Sequence, residues 1–338
     1  MNRRYLTLTV TAFVLLLLYG FGAAVFPNFL SLRVIVNLFG DNSFTGISAV
    51  GMTIVIISGG IDLSVASVIA CTTIFIAQMV NPELHGWHPL QAMAAAVAMG
   101  AVFGAAQGFF ISFFNLHPYL VTLSGMFFAR GVGYIINDTN LAIKHPFYSE
   151  TVRGLSIPLS AILRDYLGLE NYVRKGVSLP LTAQCFILFV VAGTLLLAFT
   201  RFGRYVYAIG SNEASARLMG VPVDRMKIQI YALSGFCAAA AGCVVTFYMQ
   251  AGNSSLFVGL EMDAIAATVI GGTLLTGGVG GVPGTLMGVL ILGLIQTLIT
   301  FHGNLNNWWA KIFIGALLFL FISIQQLLNR GLTRRAST

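Results

Sequence analysis

Residues 43–80 read SFTGISAVGMTIVIISGGIDLSVASVIACTTIFIAQMV, an apolar run of 38 residues whose only charge is Asp62. As a single helix it would be about 57 Å long at 1.5 Å per residue, against a bilayer core of about 30 Å. The run must turn back or kink within the bilayer, and Ser58-Gly59-Gly60-Ile61-Asp62 supplies the place, because glycine permits the turn. A second run, residues 264–301, is equally long. It carries its own breaker, Thr276-Gly-Gly-Val-Gly-Gly-Val-Pro-Gly284, in which Pro283 also ends the helical ladder. The two breakers lie 218 residues apart, and Ser58-Gly-Gly-Ile61 matched to Thr276-Gly-Gly-Val279 reads as an internal repeat.

Working outward, apolar windows recur along the whole chain of 338 residues. Of these residues 57% are apolar and 9% charged, where soluble domains carry about 25% charge. This pattern excludes a soluble protein and predicts one all-α polytopic membrane domain over residues 1–338. Its ten expected spans are 5–26, 43–58, 63–80, 89–114, 118–137, 181–200, 226–249, 264–276, 282–301 and 308–328. Tyr5–Phe26 is longer than a signal-peptide core and is read as a retained span. Basic residues cluster in 201–225 and at both termini, whereas those of 138–180 are offset by acids. Both termini and the 201–225 loop are therefore expected to be cytoplasmic, and the 138–180 segment periplasmic.

Several functions are excluded by what the chain lacks. The net charge of +7 comes from 18 scattered basic residues rather than a patch, so no nucleic-acid partner is expected. The four cysteines lie in apolar runs without metal-ligand spacing, and the five histidines are spread over connections, so no metal is expected. Neither G-x-S-x-G nor H-E-x-x-H occurs, so the chain is not read as an enzyme. None of the four lysines follows a glycine, so there is no P-loop and no cofactor is expected. The eleven carboxylates fall mostly at span ends rather than mid-span, where ion coupling would need them, so any transport draws its energy from a partner.

The loop Arg201-Phe-Gly-Arg-Tyr-Val-Tyr-Ala-Ile-Gly-Ser-Asn-Glu-Ala-Ser-Ala-Arg-Leu-Met-Gly-Val-Pro-Val-Asp-Arg225 predicts a short helix over 213–219. Ser211 or Asn212 would cap it, Glu213 suits its first turn, and Gly220 before Pro222 stops it. The alternative is an amphipathic interfacial loop with no partner. Polar groups that apolar spans would otherwise exclude are the candidates for a translocation path, Asn42, Ser58, Asp62, Ser64, Arg130, Asn137, Thr273 and Thr276, together with the turn glycines Gly59 and Gly60. Arg130 either snorkels or pairs with Glu261 or Asp263, or it meets the substrate. Asp62 either caps the helix beginning near Leu63 or lines the path. Gly100, Gly104 and Gly108 share one helix face and predict close packing on another span. Trp308 and Trp309 beside Lys311 suit an interfacial anchor.

Three runs carry a family resemblance: Gly51-Met-Thr-Ile-Val-Ile-Ile-Ser-Gly-Gly-Ile-Asp-Leu-Ser64, Ala208-Ile-Gly-Ser-Asn-Glu-Ala-Ser-Ala-Arg-Leu-Met-Gly-Val-Pro222 and Ala264-Ile-Ala-Ala-Thr-Val-Ile-Gly-Gly-Thr-Leu-Leu-Thr-Gly-Gly-Val-Gly-Gly281. In that order they resemble the permease subunits of bacterial ribose/galactose-type ABC sugar importers. Within that family the chain is most similar to a permease of the galactofuranose importer, through Gly125-Met-Phe-Phe-Ala-Arg-Gly131 and Asn306-Asn-Trp-Trp-Ala-Lys311. The resemblance implies an inner-membrane permease that lines half of a monosaccharide path. It also implies a homologous second permease, an ABC ATPase subunit that binds the ATP, and a periplasmic sugar-binding protein. By the same resemblance Asn212, Glu213, Ala214, Ala216, Arg217 and Gly220 form the segment that couples to the ATPase. Ser215 and Ala66 depart from the alanine and glycine usual in that family. The competing readings are an ion-coupled secondary transporter, an ABC permease for branched-chain amino acids, and a membrane scaffold.

Overall fold

The computed structural model describes residues 3–160, 176–303, 305–306 and 308–336. Part of the expected periplasmic segment, 161–175, and Asn307 lie outside the described residues, as do the side chains of 3–7, 153 and 324–336. The described chain is almost wholly helical: α1 Arg3–Val25, α2 Leu32–Asp41, α3 Ser43–Ile57, α4 Val65–Val80, α5 Pro89–Phe113, α6 Pro118–Ile136, α7 Leu181–Phe199, α8 Arg201–Ser211, α9 Glu213–Leu218, α10 Val223–Met249, α11 Leu260–Ile270, α12 Val282–His302 and α13 Trp308–Ala336. Two short strands, β1 Leu141–Ala142 and β2 Ala251–Gly252, pair antiparallel and tie together the two connections at one end of the bundle.

Among the described residues six helices, α1, α5, α6, α7, α10 and α12, are long and apolar enough to cross a membrane. α2 and α3, bent by 56° at Asn42, are together long and apolar enough for a broken span or a re-entrant loop. α4 and the first half of α13 are shorter apolar helices. The window expected at 264–276 is corrected: α11 stops at Ile270, so its 11 residues reach about 16 Å, half of a crossing, and Gly271 onward belongs to the break. Two helices escaped the sequence reading. α2 stood outside the long apolar window, and α8 looked like loop because its apolar residues are interleaved with arginines.

α3 is buried on every side and α10 over most of its length, and they form the centre with α4. α1 instead exposes Phe13, Leu16 and Leu17, as a lipid-facing helix would. The close packing expected of Gly100, Gly104 and Gly108 is present. A Cβ on Gly104 would run into the Tyr231 carbonyl, one on Gly108 would lie 2.7 Å from the Ile228 Cα, and one on Gly100 would lie 2.7 Å from the Gly235 carbonyl. With no side chains between them, α5 and α10 lie antiparallel, backbone to backbone.

Candidate functional site

α3 and α11 end in the same way. Ser58 and Gly271 each close a helix in right-handed geometry, and Gly59 and Gly272 follow with φ of 86° and 90°. Gly60 N–H then donates to Val55 O, and Thr273 N–H to Thr268 O, the same six-residue closure. This revises the repeat. Ser58-Gly59-Gly60 corresponds to Gly271-Gly272-Thr273, a shift of 213 residues rather than 218. Thr276-Gly277-Gly278 instead belongs to the longer second break, which runs from 271 to 281, whereas the first runs from 58 to 64.

The two breaks touch. Gly278 N–H donates to Ile57 O at 2.8 Å, and a Cβ on Gly277 would lie 2.9 Å from Gly210 O and 3.0 Å from Gly59 N. The third strand of this knot is the end of α8. A Cβ on Gly210 would collide with Ile57 O, and Tyr207 Oη donates to Gly280 O at 2.8 Å. α8 reaches this position because Gly203, Val206 and Ile209 recur on one face and bury it against the bundle, leaving Arg201 and Arg204 outside.

The expected short helix follows directly as α9. Asn212, extended at φ −164°, accepts a hydrogen bond from Ser215 N–H at 2.8 Å through Oδ1. Gly220 takes φ 81°, with Gly220 N–H on Arg217 O and Val221 N–H on Ala216 O, a C-terminal closure that a side chain would strain. Ala216 is buried, while Glu213, Ala214 and Arg217 are exposed. Arg217 donates to both oxygens of Asp224 at 2.8 and 3.1 Å, and Lys227 to Glu213 at 2.7 Å, so charges fasten α9 to α10. The Asp224 hydrogen bonds, and then its charge, hold the Arg217 proton more tightly than usual. Leu218 and Met219, 90% and 71% exposed, project from the end of α9. A cleft of about 300 Å³ separates this helix from the first break, lined by Ser58, Gly59, Gly60, Glu213 and Lys227.

Of the path candidates, then, the fold gathers Ser58, Gly59, Gly60 and Thr276 around one knot. It places the others elsewhere. Asp62 is 1% exposed, accepting from Ser64 N–H at 2.9 Å, Ser64 Oγ at 2.6 Å and Ser234 Oγ at 2.7 Å. Three donors compensate the buried carboxylate, and Ser64 also approaches Gln107 of α5 at 3.3 Å. Asp62 therefore fastens the first break to α10. Asn42 is buried at the α2–α3 bend and donates to Leu38 O. Thr273 is buried against Gly280 in the second break, and Asn137 accepts from Thr139 N–H at the end of α6. Of the alternatives for Arg130, the ion pair with Glu261 or Asp263 is not formed among the described residues. Arg130 Nη1 donates to Ser254 O and Leu256 O, both at 2.8 Å, because the loop after β2 has carbonyls that no ladder satisfies, and Asp263 is taken by Lys311 at 2.6 Å.

A family model described as the permease component of a branched-chain amino acid transport system matches residues 34–322. The inner membrane ABC transporter permease protein YjfF of Escherichia coli (strain K12) is 46% identical over 98% of this chain and 94% of its own. This chain belongs to the ABC transporter permease family. The fructose import permease protein FruG of Bifidobacterium longum (strain NCC 2705) is 33% identical over 96% of this permease and 92% of its own length. The ribose import permease protein RbsC of Escherichia coli (strain K12) is 35% identical over 83% and 82%. No solved structure matches the permease. The sequence reading missed Tyr207 and Gly210 of the knot, although both stood in the quoted loop, and also missed Ser234 and Gln107, polar residues inside apolar spans.

Proposed function

We propose that this permease is the membrane-spanning subunit of an ATP-driven monosaccharide importer, and that the monosaccharide is galactofuranose. The observation that carries the coupling is the knot: both helix breaks and the root of α9 share one backbone junction, so a pull on α9 reaches both breaks at once. Leu218, Met219 and the charged face of α9 then form the contact with an ABC ATPase subunit, which binds the ATP. A homologous second permease completes the path, and a periplasmic sugar-binding protein delivers the substrate. The 201–225 end and both termini are cytoplasmic, the 138–180 segment is periplasmic, and residues 1–338 work as one domain in the bacterial inner membrane. Nucleotide-driven closure of the ATPase shifts the population between outward-open and inward-open forms.

A sugar is favoured over a branched-chain amino acid by the two relatives named for fructose and ribose import, and galactofuranose by the Gly125–Gly131 and Asn306–Lys311 runs. The test is copurification of the complex followed by ATPase assays with a panel of monosaccharides and leucine. Stimulation by galactofuranose in the presence of the binding protein is expected, and stimulation by leucine alone would overturn the substrate assignment.

A further inference from the structure

At the end of the bundle farthest from α9, about 40 Å away along the 27 residues of α10, an open cavity of about 510 Å³ lies between α2, the turn 147–156, the start of α7 and the end of α10. That size is within the range of ligand sites. Asn37, Asp41, Ser156, Ser178, Thr182 and Gln250 line it. Among the described residues the only side-chain hydrogen bond any of them makes is from Tyr248 Oη to Asp41 Oδ1 at 3.2 Å, so the second Asp41 oxygen, two amides and three hydroxyls face the cavity with bonding capacity unspent. Tyr148 and Phe247, with ring centroids 6.0 Å apart, supply an apolar wall. Burial pushes the Tyr148 phenol up, so it stays protonated. Gln250 is held left-handed at φ 50° on the rim, a conformation that costs a non-glycine residue energy and gathers at functional sites.

We infer that this cavity is a low-affinity acceptor site for a neutral monosaccharide on its way into the path. This rests on the importer reading above and adds to it a place and a chemistry. Acceptors and donors are mixed, as a ring of hydroxyls requires, and an aromatic wall suits the apolar face of a sugar. Among the described lining residues Asp41 carries the only charge, and it repels a phosphate or a carboxylate. The described lining therefore suits a neutral sugar better than a sugar phosphate.

The test places a single cysteine at Ser178, in the full complex in lipid nanodiscs with the four native cysteines changed to alanine. Its modification rate by a water-soluble methanethiosulfonate is followed against D-galactose, D-ribose, D-galactose 6-phosphate and leucine. At about ten times the half-protecting concentration, a neutral sugar should slow labelling about tenfold by mass action. Galactose 6-phosphate and leucine should leave the rate unchanged. Asp41→Asn should raise the half-protecting concentration severalfold without changing the rate in the absence of sugar, and Asn37→Ala should do the same if Asp41→Asn fails to fold. Absence of protection by any sugar, in a complex that still imports sugar, would overturn the acceptor site alone. A complex that imports no sugar at all would overturn the importer reading instead. Protection by the binding protein without sugar would make the cavity a protein-docking surface.

Discussion

Replacing Asn212 by alanine removes the one side-chain bond that starts α9, its Oδ1 on Ser215 N–H at 2.8 Å. Loss of an N-cap costs about 1 kcal/mol. The helix has six residues and cannot hold itself by propagation. Its remaining ties are Ala216 and the exposed charge pairs to Asp224 and Lys227, each worth little in water. A change of about 1 kcal/mol lowers the ratio of ordered to open α9 about fivefold. Amide exchange at residues 215–217, measured by mass spectrometry on the permease in nanodiscs, should quicken about fivefold in Asn212→Ala, and ATP-driven sugar uptake should fall in step. Asn212→Asp should keep both near wild type, because aspartate caps equally well and its charge suits a helix start, and Asn212→Gly should lose only a few tenths of a kcal/mol. If Asn212→Asp were as damaged as Asn212→Ala, or if exchange were unchanged in Asn212→Ala, the capping argument would be refuted.

Gly210→Ala should block assembly of the knot, since its Cβ would occupy the space of Ile57 O, whereas Gly131→Ala, with open space around it, should be neutral; thermal unfolding of the purified permease separates them. Asp62→Ala should lower thermal stability by a few kcal/mol because Ser64 and Ser234 lose a buried acceptor, and Asp62→Asn should cost less. Gly220→Val should insert normally but fail in uptake, since a left-handed residue with a side chain costs about 1–2 kcal/mol; normal uptake at unchanged expression would count against the coupling role of α9. Arg130→Ala should free the loop after β2, seen as faster labelling of a cysteine at Ser255, and Arg130→Lys should restore part of the protection.

Much of this was legible in the sequence because it is written in short-range chemistry. Hydropathy located the six helices long enough to cross, though not all ten expected spans, and the Asn212 to Gly220 pattern located α9 within one residue. What stayed hidden depends on which backbones meet. Two breaks with matching glycines were visible, but their pairing was misread because sequence similarity favoured Thr276-Gly277 over Gly271-Gly272. Only the helix ends decide that. The length of α11 was overestimated for the same reason, since Gly271 and Gly272 sit inside an apolar run. For Arg130 the sequence offered snorkelling, a carboxylate or the substrate, and not the two carbonyls of the loop after β2 that it meets. The cavity beside Asp41 could not be read at all, since its lining comes from four segments far apart in sequence.

The central claim is that this permease moves sugar only when an ATPase acts through α9. Purified permease in proteoliposomes, assayed for concentrative monosaccharide uptake first alone and then with its ATPase, second permease and binding protein, tests it directly. Uptake should be absent from the single subunit under sodium or proton gradients and should appear with ATP in the complete complex. Concentrative uptake by the single subunit on an ion gradient would contradict it.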